Sequence, residues 1–190
     1  MHILLQRVAV ACVSLVFVFW TLDAQERTNA FAASMQAFKE RVQGYMDLRG
    51  MIAQSLPRVQ ETGDPAKIST REKNLGIAIA KARSAAKVGD VFGDMTPHLQ
   101  RILAEDWKSR TPADRKALFD EVPPGLTLTV NQSYPATIPL VSAPARLLAQ
   151  LPVLPEMLEY RLVNRRLLLR DRDANVIVDV VVGVLPTGSR

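Results

Sequence analysis

The sequence predicts an α+β fold: an N-terminal long helical hairpin plus two short helices, then a small C-terminal antiparallel β-meander. Three observations carry this. Apolar residues recur at helical steps from Phe31 onward. The pattern breaks at Val122-Pro123-Pro124-Gly125, and eight of the twelve prolines fall between Pro123 and Pro186. Beyond Leu158, apolar residues alternate with charges that match across a hairpin.

The first helix follows from Phe31, Met35, Phe38, Val42, Tyr45, Ile52 and Leu56, spaced by three, four and seven; Pro57 stops it. Glu61 to Pro65 reads as a loop, with Asp64-Pro65 as cap and first turn and Ser69 with Glu72 as a second capping box. Ile68, Leu75, Ile79, Ala82 and Ala86 form the stripe of a second helix, antiparallel to the first and close-packed through its alanines. The two stripes are expected to bury each other rather than to form a partner groove. Gly89 is expected to end that helix and Phe92 to plug the core. Thr96-Pro97 opens a third helix with Leu99, Ile102, Leu103 and Trp107 inward. Thr111-Pro112 opens a short fourth, with Asp114 at capping-box spacing and Leu118 inward. Leu126, Leu128 and Val130 alternate with threonines like a strand, and Ala145 to Leu151 fits a short helix.

In the meander, Asn164-Arg165 is the two-residue loop, so that Leu162 faces Leu167 and Tyr160 faces Leu169. A turn at Asp171 to Ala174 then sets Leu169 against Val176 and Leu167 against Val178. The same register pairs Glu159 with Arg170 and Arg166 with Asp179. The opposite face, with Val163, Leu168, Ile177 and Val181, needs partial cover.

Arg7 followed by the apolar run Val8 to Leu22 reads as a secretory signal peptide. Fifteen residues make roughly 22 Å of helix, short of the ~30 Å hydrocarbon core, which argues against the alternative of a retained anchor. Ala24 is the expected residue before the cut, with Ala30 second. Cys12 lies inside the run rather than at its end, which argues against lipidation. The expected organisation is a signal peptide over 1–24, a helical part over 25–122, and a proline-rich connection with the meander over 123–190, packed with the helices as one domain. The expected location is periplasmic or secreted, with no membrane span left after cleavage.

Cys12 is the only cysteine and His98 the only histidine beyond the signal. The downstream chain therefore has no disulfide, thiol nucleophile or two-imidazole site. The net charge of +5 is spread along the chain without a block.

Two segments resemble a family of uncharacterised exported bacterial proteins. One is Ala82-Arg83-Ser84-Ala85-Ala86-Lys87-Val88-Gly89-Asp90-Val91-Phe92. The other comprises Leu151-Pro152-Val153-Leu154-Pro155-Glu156, Leu158-Glu159-Tyr160-Arg161, Leu169-Arg170-Asp171 and Ala174-Asn175-Val176-Ile177-Val178-Asp179. The resemblance implies a bacterial source and an envelope or extracellular location, and brings no activity with it.

Asp171-Arg172-Asp173-Ala174-Asn175 has the opening spacing of a calcium loop, but Val176 and Val182 stand where the glycine and bidentate glutamate belong; a turn explains the same residues, and no metal or cofactor is expected. Arg161, Arg165, Arg166, Arg170 and Arg172 cluster in the meander as a candidate ligand-binding set for lipid head groups or other anions, against the plainer reading of cross-strand pairs. Nucleic acid is not an expected partner, since no aromatics interleave with the basic residues. His98, at a helix start with Asp94 and Glu105 near in sequence, lacks the surroundings of a catalytic base, and no catalytic residue is assigned. The expected function is a non-enzymatic envelope protein that binds or scaffolds another component, an envelope protein or an anionic surface. The alternatives are an anionic-ligand or lipid binder and, behind it, a carboxylate-based hydrolase.

Overall fold

The computed structural model of the chain describes the backbone of residues 2–57, 63–120, 126–138, 143–163 and 166–182. It describes the side chains of those residues from 28 on, save 118–120. The fold is α+β. Helix α1 spans His2–Ser55, α2 Pro65–Ala82, α3 Thr96–Ser109, α4 Pro112–Asp120 and α5 Ala145–Leu148. A 3₁₀ turn, Gly93–Met95, precedes α3. Strands β1 (Leu158–Val163), β2 (Arg166–Asp171) and β3 (Val176–Val181) form an antiparallel meander in that order. Among the described residues no helix is long and apolar enough to cross a membrane.

Helix starts follow local chemistry. Asp64 caps α2, its carboxylate accepting from the Ala66 N–H at 2.9 Å, with Pro65 supplying a fixed φ in the first turn. Because α2 begins there, Ser69 and Glu72 lie inside the helix and form no second cap. Thr111 and Asp114 cap α4 reciprocally: Asp114 N–H donates to Thr111 Oγ1, and Thr111 N–H and Oγ1 donate to Asp114 Oδ2. Those bonds hold the exposed Asp114 carboxyl below its ordinary range. Helix α2 ends at Ala82, seven residues before Gly89, so Ala86 is not part of its stripe. Gly89 instead has φ 92°, the left-handed conformation that glycine adopts freely, inside the loop to the 3₁₀ turn.

The sheet separates two apolar clusters. Its helix-facing side joins Phe38, Val42 and Tyr45 of α1, Leu75 and Ile79 of α2, Phe92, and Leu99, Leu103 and Trp107 of α3 to Tyr160, Leu167, Leu169, Val176 and Val178. Phe92, fully buried, stacks between Phe38 (5.9 Å) and Tyr160 (6.5 Å). Gly76 brings α2 against the β2–β3 turn, where a Cβ would lie 2.5 Å from the Ala174 carbonyl oxygen. The opposite side packs Val163, Leu168, Ile177 and Val180 under Leu128, Tyr134 and Ile138. Residues 126–138 are not a strand. They lie along the outer edge of β3 through Ile177 N–H to Gln132 O (2.9 Å), Asn131 N–H to Ile177 O (2.8 Å) and Tyr134 N–H to Asn175 O (3.1 Å). Extended backbone with alternating apolar residues satisfies both a strand and such a cover, and the turn at Asn131 (φ 65°) stops a long ladder.

The β1–β2 pairing follows the expected register, with Leu162 opposite Leu167, Tyr160 opposite Leu169 and Glu159 opposite Arg170. The loop residues 164 and 165 lie outside the described residues. The β2–β3 pairing differs from expectation: Leu169 meets Asp179, Leu167 meets Val181 and Asp171 meets Val176, with a bulge at Leu169/Arg170. Arg166 therefore does not meet Asp179 and donates to the Leu128 carbonyl at 3.0 Å. Two features displace the register. Asn175 takes φ 50° and closes a turn shifted by one residue, from Arg172 to Asn175, and the extra residue of the bulge swings Asp179 to the helix-facing side and Val181 into the helix-side core.

Candidate functional site

Two carboxylates sit fully buried on the helix-facing side of the sheet, Asp171 ending β2 and Asp179 in β3. Asp171 Oδ2 accepts from Tyr45 Oη (2.8 Å) and Arg49 Nε (2.7 Å), both from α1. Its Oδ1 accepts the N–H groups of Asp173 (3.0 Å) and Ala174 (2.9 Å), folding the turn back on itself. Asp179 Oδ2 accepts from the N–H groups of Val91 and Phe92, and Oδ1 from Gly89 and Val180, each at 2.7 Å. A carboxylate offers about four acceptor positions, and both have four filled.

Arg83, which caps the C-terminal end of α2, completes this seam. Its guanidinium donates to Val178 O (3.0 Å) and Asn131 Oδ1 (3.3 Å) and lies 5.2 Å over the Tyr45 ring. Burial lowers the Arg83 pKa, against the pull of Tyr45, Asp179 and Asp90. Burial also raises the Tyr45 phenol far above its usual value, and the Asp171 charge and hydrogen bond add to it. Arg49 differs from Arg83: burial works against its charge, but Asp171 and Asp173 more than compensate and raise its pKa. The Gly89–Phe92 loop and the Val176–Asp179 strand, far apart in sequence, thus meet at Asp179.

The meander arginines do not converge on one free cationic surface. Arg161 and Arg170 both grip Glu159, Arg161 through Nε at 2.8 Å and Nη2 at 2.5 Å, Arg170 through Nη1 at 2.6 Å. Arg170 also donates twice to Asn175 Oδ1 and lies 5.5 Å over the Tyr134 ring. Burial favours a neutral Glu159, but the bonds and charges of Arg161 and Arg170 prevail and hold it below the usual glutamate range. Arg166 binds the Leu128 carbonyl. Arg172 stands apart, exposed, on the β2–β3 turn, and Arg165 lies outside the described residues.

His98 faces Arg101 through Nδ1 at 3.0 Å and meets the Phe31 ring edge-on at 5.0 Å. Neither Asp94 nor Glu105 hydrogen-bonds to it among the described residues; Asp94 faces Arg41 at 3.7 Å. The calcium-like spacing at Asp171 is a turn whose first carboxylate is already saturated, and the described residues contain no group of three metal-ligating side chains.

Two concave surfaces among the described residues bear on binding. A groove of about 300 Å³ runs beside β1, walled by Leu148, Leu151, Pro152, Val153 and Leu154, with Glu159 and Arg161 at its margin. Val153 projects from it 94% exposed and Leu148 41%. A cleft of about 390 Å³ lies between α1, α2 and the β2–β3 turn, and Arg172 lines it with Arg49, Arg71 and Glu72. Sequence reasoning missed both, as well as the role of Asp179. The groove had one readable signal: Leu151-Pro152-Val153-Leu154-Pro155 is an apolar stretch whose two prolines keep it out of helix and ladder. Comparison with protein-family models, with curated proteins and with solved structures finds no match for the chain.

Proposed function

We propose that the protein is exported through its N-terminal apolar run, cut after Ala24, and acts in the bacterial periplasm or outside the cell as a non-enzymatic binding or scaffold protein. Its likeness to uncharacterised exported bacterial proteins belongs to the same proposal. The observation that carries the binding reading is the β1 groove, where Val153 and Leu148 stand in solvent over an apolar wall. Clustered apolar side chains framed by charge mark surfaces that a partner covers. The partner's matching surface is apolar, since Glu159 and Arg161, which also line the groove, already pair with each other. The filled acceptor positions of Asp171 and Asp179 weigh against the hydrolase alternative, because a carboxylate holding four structural donors has no lone pair for a substrate proton.

The test places a photo-crosslinking residue at position 153 and, as control, at the exposed position Val88 in the tagged full-length protein in its host. We expect one reproducible protein adduct from position 153, lost in Leu148→Asp, and none from position 88. Equal adducts from both positions, or turnover of an envelope substrate by the purified protein, would contradict the proposal. The mass of the exported chain reads the cut directly.

A second reading, anionic-ligand binding, is favoured at one place: Arg172, the outlier of the meander arginines, lines the cleft with Arg71.

A further inference from the structure

The geometry points to a binding site for a small zwitterion with an apolar body, an apolar α-amino acid being the simplest, in the cleft between α1, α2 and the β2–β3 turn. The cleft, about 390 Å³, falls in the size range of small-molecule sites.

Its charged residues sort into two sets. Arg49 is committed to the fold, Nε on Asp171 at 2.7 Å and Nη2 on Asp173 at 2.9 Å, which also occupies Asp173. Arg71 and Glu72 make no side-chain hydrogen bond or ion pair among the described residues, and Arg172 makes one long contact, 3.4 Å to the Glu156 carbonyl oxygen. The groups without an ion pair are therefore two guanidiniums and one carboxylate. Ala53, Leu75 and Ile68 give the same cleft an apolar lining, and Ile68 is 53% exposed although its position in the α2 stripe predicts burial.

Each ligand class meets this set differently. A guanidinium fork matches a carboxylate in plane and accepts it bidentately. A plain anion would satisfy Arg71 and Arg172 but face Glu72 with like charge. A plain cation would satisfy Glu72 and face two guanidiniums. A ligand bearing carboxylate and ammonium on one carbon answers all three, and its hydrocarbon side chain covers Ile68. The cleft shares no lining residue with the β1 groove, so the inference stands whether or not that groove binds a protein.

The test is calorimetric titration of the purified protein with L-leucine, 4-methylpentanoate (leucine without its ammonium) and 3-methylbutylamine (leucine without its carboxylate). Leucine should bind saturably and each analogue about tenfold more weakly or worse, a loss of one charged contact. Arg71→Ala and Arg172→Ala should each weaken leucine by about tenfold. Glu72→Gln should weaken leucine and tighten 4-methylpentanoate, because it removes the like charge that the anion faces. All three variants alter solvent-accessible side chains and should keep the parental Tm, and Val153→Asp should leave leucine binding intact. Absence of saturable leucine heat overturns the inference. So does leucine binding indifferent to all three substitutions, or 4-methylpentanoate binding as tightly as leucine, which would mark a simple anion site.

Discussion

Asp171 and Asp179 lie on the same side of the same sheet, equally buried, and are held by opposite means. Asp171 takes two of its four donors from side chains of α1 and two from its own turn. Asp179 takes all four from main-chain N–H groups, three of them in the Gly89–Phe92 loop. Two donors of the first site, Tyr45 and Arg49, can be removed one at a time. The second has no donor side chain to remove, and three loop N–H groups share the one carboxylate. Phe92, the residue donating into that nest, is also the ring stacked between α1 and β1, so losing Asp179 reaches the middle of the core.

The largest effect is accordingly expected at Asp179. Asp179→Ala leaves three loop donors, two of them buried, without an acceptor and should cost about 3–5 kcal/mol, read as a lower midpoint in urea unfolding. Asp179→Asn should rescue little, because its amide N–H₂ would point at N–H groups. An Asp179→Asn variant as stable as the parent would break the contrast between the two acids.

Gly76→Ala comes next. The added methyl would collide with the Ala174 carbonyl, on the turn that Asp171 organises, and would stand 3.1 Å from Val176 Cγ2. Overpacking of about 1–3 kcal/mol should exceed the gain of up to about 1 kcal/mol in helix propensity. A net stabilisation would mean that the turn gives way, and that the Asp171 end is the soft one.

Tyr45→Phe removes one of the four donors to Asp171 and should cost only about 1 kcal/mol at neutral pH. It sharpens the comparison through pH as well. The Tyr45 phenol is raised in the folded state, so its contribution is complete below the unfolded value near 10 and is lost as pH climbs toward the folded value. Alkaline destabilisation above about pH 10 should be shallower in Tyr45→Phe than in the parent.

The smallest effect concerns Glu159, on the other face of the sheet. Its pKa is depressed, so its contribution is present above the unfolded value near 4.3 and is lost as pH falls through the lower folded value. Acidification from about pH 5 to pH 3 should destabilise the parent slightly more than Glu159→Gln. Equal slopes would show that the Arg161 and Arg170 grip on this part-exposed group adds nothing to stability.

The helical half was legible where a boundary has a local cause, at Pro57 after α1, Asp64-Pro65 before α2 and Thr111 with Asp114 at α4, but not at the end of α2, which stops at Ala82 rather than at Gly89. The β1–β2 register was legible too, since a two-residue connection fixes pairing and the Glu159–Arg170 match agrees with it. The β2–β3 register was not. Charge matching placed Asp179 opposite Arg166, a sound rule for a solvated face. A bulge and a left-handed Asn175 move Asp179 instead into contact with a loop some ninety residues away, and no pattern within the strand encodes that loop. The meander arginines were recognised as a group, but which of them are neutralised depends on Glu159 and Asn175 across the sheet. The zwitterion cleft was invisible for the same reason, as Arg71, Glu72 and Arg172 become neighbours only when α2 docks on the turn.

These contrasts support one claim: the two interior acids are structural parts of the fold. Amide hydrogen exchange at Gly89, Val91 and Phe92 tests it most directly. The account predicts strong protection of all three in the parent, comparable to the strand amides of β2, and collapse of that protection in Asp179→Ala. Exchange at the rate of an exposed loop in the parent would contradict it, because Asp179 would then be open to solvent and available for acid–base chemistry at the seam.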